Sequence, residues 1–156
     1  MDDLQRLEGW LSPLLAKLTD AERRGLAREV ARDLRAGNVA TMRAQQAPDG
    51  TPWEPRKPNA LREARGAVRR NAKKSAPMFQ KLRAAKHLKA QSLTDEAVLQ
   101  FVGRANRIAR VHHFGLEDQV KQGGPRYQYP VRSLLGISPQ QCERIVDLCI
   151  SYLSIV

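Results

Sequence analysis

The side chains that could carry protons or bind metals are few. His112 and His113 are adjacent in a segment of helical period. Their rings therefore point about 100° apart and cannot easily chelate one metal. A helical metal site places ligands at i and i+4, and a zinc site wants Cys and His at fixed spacing. His87 stands alone. Cys142 and Cys149 are seven positions apart in one helical pattern. That is about two turns and roughly 10 Å, too far for a bond between them. A nucleophilic cysteine needs an electropositive, partly exposed site, whereas Cys149 falls on an apolar face. The carboxylates are scattered and form no convincing pair. A phosphate-binding glycine loop and a nucleophile-elbow serine are both missing from the sequence. The residues thus predict packing or interface roles for His112 and His113, core roles for the two cysteines, no cofactor and no catalysis.

Charge is the stronger signal. The chain of 156 residues carries a net +11. Twelve basic residues lie between Arg56 and Lys89, opposed only by Glu63, so this segment alone sums to 12 − 1 = +11. The remaining 15 basic and 15 acidic residues cancel. A concentrated basic segment implies a polyanion or an acidic protein surface as neighbour, or else a solvated loop that aids solubility. Arg62, Arg65, Arg69, Arg70, Lys73 and Lys74 are the candidate contact residues. The segment contains no Trp or Tyr to stack on bases. No zinc-finger or RNP signature accompanies it, so any DNA contact would be phosphate-directed, sequence-blind and salt-sensitive.

The elements that hold these groups follow from periodicity. Asp2 or Asp3 caps a first helix whose stripe is Leu4, Leu7, Leu11, Leu14, Leu15 and Leu18, with Trp10 beside it. Pro13 kinks or restarts it. Thr19 and Glu22 have capping-box spacing for a second helix from about Asp20 to Gln45 or Gln46, buried through Leu26, Val30 and Leu34. Gly37 costs that helix roughly 1 kcal/mol relative to Ala. Pro48-Asp49-Gly50 is a turn in which Pro presets φ, Asp bonds its own backbone and Gly accepts a positive φ. Trp53 anchors the extended chain that follows. The stretch from about 56 to 76 has no apolar face to bury and reads as a mobile insertion. Pro77 to Ala85 is helical or turn-like. Leu88 to Leu93 and Ala97 to Val102 form a hairpin around Thr94-Asp95-Glu96. Asn106 to Phe114 is a helix with Ile108, Val111 and His112 on one side and Gly115 as its C-cap. Glu117 to Arg126 reads as loop. Tyr127, Tyr129 and Val131 then share one face of an extended segment. Ser138, Pro139 and Gln141 start a last helix with Ile145, Leu148, Cys149 and Tyr152 inward.

These elements sum to an α+β fold dominated by helices. It has long N-terminal helices, a small antiparallel sheet built on a β-hairpin, and a C-terminal helix, as one domain over residues 1–156. No apolar run approaches the roughly 18–20 residues that a membrane span requires. The acidic Met1-Asp2-Asp3 start lacks the basic opening of a signal peptide, so synthesis in a reducing cytoplasm is expected.

Four blocks carry a resemblance. They are Gln45-Gln46-Ala47-Pro48-Asp49-Gly50-Thr51-Pro52-Trp53, Met78-Phe79-Gln80-Lys81-Leu82-Arg83, Val111-His112-His113-Phe114-Gly115-Leu116 and Tyr129-Pro130-Val131-Arg132-Ser133-Leu134-Leu135-Gly136. In this order the set resembles the phage virion morphogenesis family, to which tail completion proteins of contractile-tailed phages and Mu G-like proteins belong. The basic insertion is the least family-like part. The resemblance implies a structural virion protein of the tail and neck that finishes the tail and prepares its joining to the head. It further implies a homo-oligomeric ring, a hexamer favoured, whose partners are tail terminator or tube proteins and head connector proteins. DNA in the channel is a nonspecific contact. The residues implied as framework are Asp49, Gly50, Trp53, His112, His113, Phe114, Gly115, Tyr129 and Pro130. The alternative is a sequence-nonspecific nucleic-acid-binding protein that uses residues 56–89.

Overall fold

The spine of the fold is a helix that begins at a capping box. Thr19 Oγ1 accepts from the Glu22 amide at 3.2 Å, and the Glu22 carboxylate accepts from the Thr19 amide at 2.7 Å. Two amides at the positive helix end are thereby satisfied. This helix, α2 (Asp20–Arg43), runs unbroken past Gly37. In the computed structural model, residues 2–56 and 77–154 are described.

Helix α1 (Asp2–Leu15) precedes the spine and continues through Pro13 without restarting. Leu11 and Leu18 are buried, while Leu14 and Leu15 are half-buried. The side chains of Leu4 and Leu7 lie outside the described residues. After α2 come β1 (Leu88–Ser92) and β2 (Ala97–Phe101), paired antiparallel from Leu88↔Phe101 to Ser92↔Ala97. Helix α3 (Arg104–Phe114) follows, then β3 (Glu117–Gln119), β4 (Arg126–Gln128) and α4 (Pro139–Ser154). The fold is α+β, as the periodicity predicts.

Two cores flank the spine. One joins Met42 of α2 to Trp53, Met78, Leu82, Leu88, Phe101, Ala105, Ala109 and Leu134. The other joins Leu11, Leu18, Leu26 and Cys149, with Ile145, Leu148 and Tyr152 packed against them. Cys149 is buried and burial raises its thiol pKa, which suits packing over nucleophilic chemistry.

The hairpin and α4 take opposite sides of α2. Arg35 donates to the Leu88 carbonyl of β1, and Arg23 meets Asp95 at the hairpin tip. Gly25 faces Tyr152 of α4, and Gly37 faces Gln141. Each pair of positions is two residues apart, about 200° round the helix axis.

Gly37 has a purpose that propensity alone does not reveal. Gln141 is buried there, and its amide donates to the Asp33 carbonyl at 2.8 Å and the Leu34 carbonyl at 3.3 Å. A Cβ on residue 37 would fall on that amide. Gly37→Ala gains roughly 1 kcal/mol of helix propensity. Displacing a buried, bonded amide costs more than that. The expected net result is a loss of about 1–2 kcal/mol, read by urea unfolding, with partial recovery in Gly37→Ala/Gln141→Ala.

Three expectations change. Ile108 is exposed, because α3 turns Ala105 and Ala109 inward and these small residues let it approach the hairpin. Glu117 to Arg126 is not plain loop: β3 and β4 pair from Glu117↔Gln128 to Gln119↔Arg126, making a second two-stranded sheet. Val131 does not turn inward with the tyrosines. It is exposed and sits against Gly115. The insertion about 56–76 falls outside the described residues except at Arg56. No helix among the described residues is long and apolar enough to cross a membrane.

Candidate functional site

The four sequence blocks converge on the described residues that flank positions 57–76. The flank before them is built by a turn. Gly50 adopts φ +89°, and Asp49 Oδ1 accepts from the Thr51 amide at 2.9 Å. That bond holds the Asp49 carboxyl below its usual pKa. Ala47 and Thr51 close the turn, and the Trp53 amide donates back to Gln45. Trp53 is buried, and its indole Nε1 donates to the Ser133 carbonyl at 3.1 Å.

Two polar clamps then fix the described residues on either side of positions 57–76. Arg132 is buried, and its guanidinium donates to the carbonyls of Glu54 at 2.8 Å and Pro55 at 3.2 Å. Burial lowers its pKa, though arginine stays charged. Gln45 clamps the following side: its Nε2 donates to the Met78 carbonyl at 3.1 Å, and its Oε1 accepts from the Met78 amide at 2.7 Å. Gln45 itself has φ +60°, and Phe79 has φ +63°. Non-glycine residues in this region are held there by surrounding structure. Here the clamp and the ring contacts supply it.

The end of α3 completes the site. Gly115 caps it at φ +62° and ψ +48°, with its amide donating to Val111. A Cβ there would lie 2.7 Å from Val131 Cγ2 and 3.0 Å from the Tyr129 carbonyl. Only glycine meets both demands. The His112 carbonyl accepts from the Arg132 amide, and His113 Nδ1 accepts from the Leu134 amide at 3.1 Å. The second hydrogen bond requires the neutral ring, and burial lowers the His113 pKa. The rings of Trp53, Phe79, His112, Tyr129 and Tyr127 stack edge to face in sequence, with centroids 4.8–5.4 Å apart. Burial lowers the His112 pKa to about 4, with the positive charges of Arg132 and Arg56 acting in the same direction. Its Nδ1 is buried with no hydrogen-bond partner among the described residues.

A groove of about 450 Å³ opens beside this ladder, lined in part by Glu54, Arg56, Phe79, His112, Tyr127 and Arg132. His112 is a neutral ring between two aromatic neighbours, with no carboxylate bonded to it among the described residues. Among the described residues no group of three His, Cys, Asp or Glu could hold a metal ion. These described residues offer packing, hydrogen bonding and charge placement.

The structure brings together Asp49, Gly50, Trp53, His112, His113, Gly115, Tyr129 and Pro130. Phe114 stands apart, 60% exposed, with its ring against His113. Arg62, Arg65, Arg69, Arg70, Lys73 and Lys74 lie outside the described residues. Gln45 and Arg132 are backbone clamps that residue type alone does not single out, although both sit inside the quoted blocks.

The model of the phage virion morphogenesis family matches residues 2–154. The tail completion protein S of Escherichia phage P2 is 33% identical over 154 residues, which is 98% of this chain and 99% of that protein. No solved structure matches significantly. A family match that runs from α1 to the end of α4 covers every element described above, so the chain belongs to the phage virion morphogenesis family.

Proposed function

We propose that the chain is a structural component of a phage tail that completes the tail and prepares or forms its junction with the head, acting as a ring. The observation that carries this is the whole-length similarity to tail completion protein S of Escherichia phage P2. A site made of backbone clamps and stacked rings fits a protein whose task is to hold surfaces in place. The partners on this reading are tail terminator or tube proteins on one side and head connector proteins on the other. The tail is of the contractile kind.

The basic segment is the part with a distinct task. Residues 57–76 carry seven basic residues and one acidic residue, a net 7 − 1 = +6. Both flanks are fastened to the fold, by Arg132 at Glu54 and Pro55 and by Gln45 at Met78. On this reading the charged segment between these anchors meets one neighbour, either DNA in the channel or an acidic face of a neck protein.

Loss of the gene tests the main reading. Full heads and separate tails should accumulate, and the purified protein should add to tail ends. Normal particle yield without the protein would sink the idea. The second reading, a free nucleic-acid-binding protein, is favoured by the same +6. It predicts DNA binding by the monomer with a steep salt slope. Deleting residues 58–75 should abolish that binding on the second reading. On the first, the deletion should leave ring formation largely intact.

A further inference from the structure

Charge outside the basic segment sums to zero but is not evenly mixed. Helix α3 contains Arg104, Arg107 and Arg110 and no acidic residue. Its inner face is Ala105 and Ala109, with His112 half-buried beside them and Val111 buried at one flank. Opposite them, Arg107, Arg110 and Phe114 form a stripe at i, i+3 and i+7, within about 60° of the helix circumference. Phe114 is 60% exposed. Arg107 reaches Asp118 at 2.7 Å, and Arg110 has no ion pair among the described residues.

Helix α4 presents the complementary face. Its inner residues Ile145, Leu148, Cys149 and Tyr152 belong to the second core. On the outer side Glu143, Asp147 and Ile150 form a stripe at i, i+4 and i+7. Ile150 is 43% exposed. Arg144 is drawn away to Asp33 at 3.1 Å, which leaves Glu143 and Asp147 without an ion pair among the described residues.

The two stripes have the same length, about 10 Å. Their charges are opposite, and each ends in an apolar residue. Laid alongside in the same direction, arginines meet carboxylates and Phe114 meets Ile150. Within one chain α4 lies on one side of α2, while the hairpin leading into α3 lies on the other. Their union requires a second copy.

We propose that α3 of one copy docks on α4 of the next through these stripes. The contact joins two different patches, so it is head-to-tail, and repeated copies close into a ring when the rotation closes. The inference deepens the ring reading above and rests on it. The Phe114–Ile150 pair supplies the apolar centre. The charges set register and disfavour other pairings.

Full-length protein with Arg110→Glu, with Asp147→Arg, or with both tests the contact. Each is supplied in a host infected by phage lacking the gene, and circular dichroism confirms the fold. Each single change should lower infectious yield and tail-bound protein by about 100-fold, as like charges are forced together. The double variant should restore both, since every copy then presents a reversed but matched pair. In a Cys142→Ser background, Phe114→Cys with Ile150→Cys should give a ladder of disulfide-linked multimers on tails and in solution. Single variants that behave as wild type, a double variant that fails to recover, or a missing ladder would each overturn the contact. Those failures leave the tail reading intact as long as wild-type protein restores the phage. If wild-type protein itself restores nothing, the tail reading fails, and the ladder still judges the contact.

Discussion

Trp53→Ala should lose about 3–5 kcal/mol of stability, the range for removing a buried aromatic side chain. For a chain of this size that lowers Tm by roughly 10 °C. Two losses combine. The indole is only 8% exposed and its ring meets Phe79 at 5.4 Å and 85°, so truncation leaves a cavity in the first core. Its Nε1–H also satisfies the Ser133 carbonyl, which would be left without that donor. Trp53→Phe separates the two. It keeps most apolar burial and loses the bond, so its expected cost is about 1–2 kcal/mol. Urea unfolding with an unchanged m-value measures both. A loss below about 1 kcal/mol for Trp53→Ala would mean that the ladder is not a structural unit.

The parts of this fold written in local chemistry were legible. Thr19 with Glu22, Ser138 with Pro139 and Gln141, and Pro48 to Gly50 each act on backbone within three residues. Their roles survive into the structure as capping and turn hydrogen bonds. Gly115 was legible for the same reason. The face of α3 was not. Reading large apolar residues favours Ile108, but the helix is held close by Ala105 and Ala109, and alanine is a weak signal in any periodicity count. The second hairpin was invisible because Glu-Asp-Gln and Arg-Tyr-Gln show no apolar alternation. Its pairing rests on backbone bonds and on Arg126 meeting Glu117 at 2.9 Å.

The candidate site was half legible, and the division is physical. Trp53 and the histidines announce themselves by residue type. Gln45 and Arg132 resemble ordinary surface residues until the chain folds. Gln45 acts on Met78, 33 positions away, and Arg132 acts on Glu54, 78 positions away. A net charge hides such placement too. The 15 basic and 15 acidic residues outside positions 56–89 cancel on paper. In the fold, Arg107 and Arg110 share one outer face, while Glu143 and Asp147 share another. Only the helix geometry separates them.

The protein should lose stability on acidification between about pH 6.5 and pH 4, and His112 should be a main cause. The unfolded imidazole titrates near 6.5 and the folded one near about 4. In that window the unfolded chain binds the proton and the folded chain resists it. Stability from keeping His112 neutral is therefore full above the unfolded value, and it is lost as pH falls through the folded value. A depression of this size corresponds to about 3 kcal/mol, or roughly 2 kcal/mol when discounted for a half-buried ring. His113 acts in the same direction, because its Nδ1 must stay unprotonated to accept from Leu134. His112→Phe keeps a ring between Phe79 and Tyr129 and removes the titration. It should be about 2 kcal/mol less sensitive than wild type to a change from pH 7 to pH 4.5, measured by urea unfolding at both. An equal loss in the two proteins would place the acid sensitivity elsewhere. Because the clamp residue Arg132 contributes to the low pKa, Arg132→Gln should raise it and flatten the profile in part. The window lies below neutral pH. His112 therefore serves at neutral pH as an uncharged aromatic spacer beneath the anchors of the basic segment.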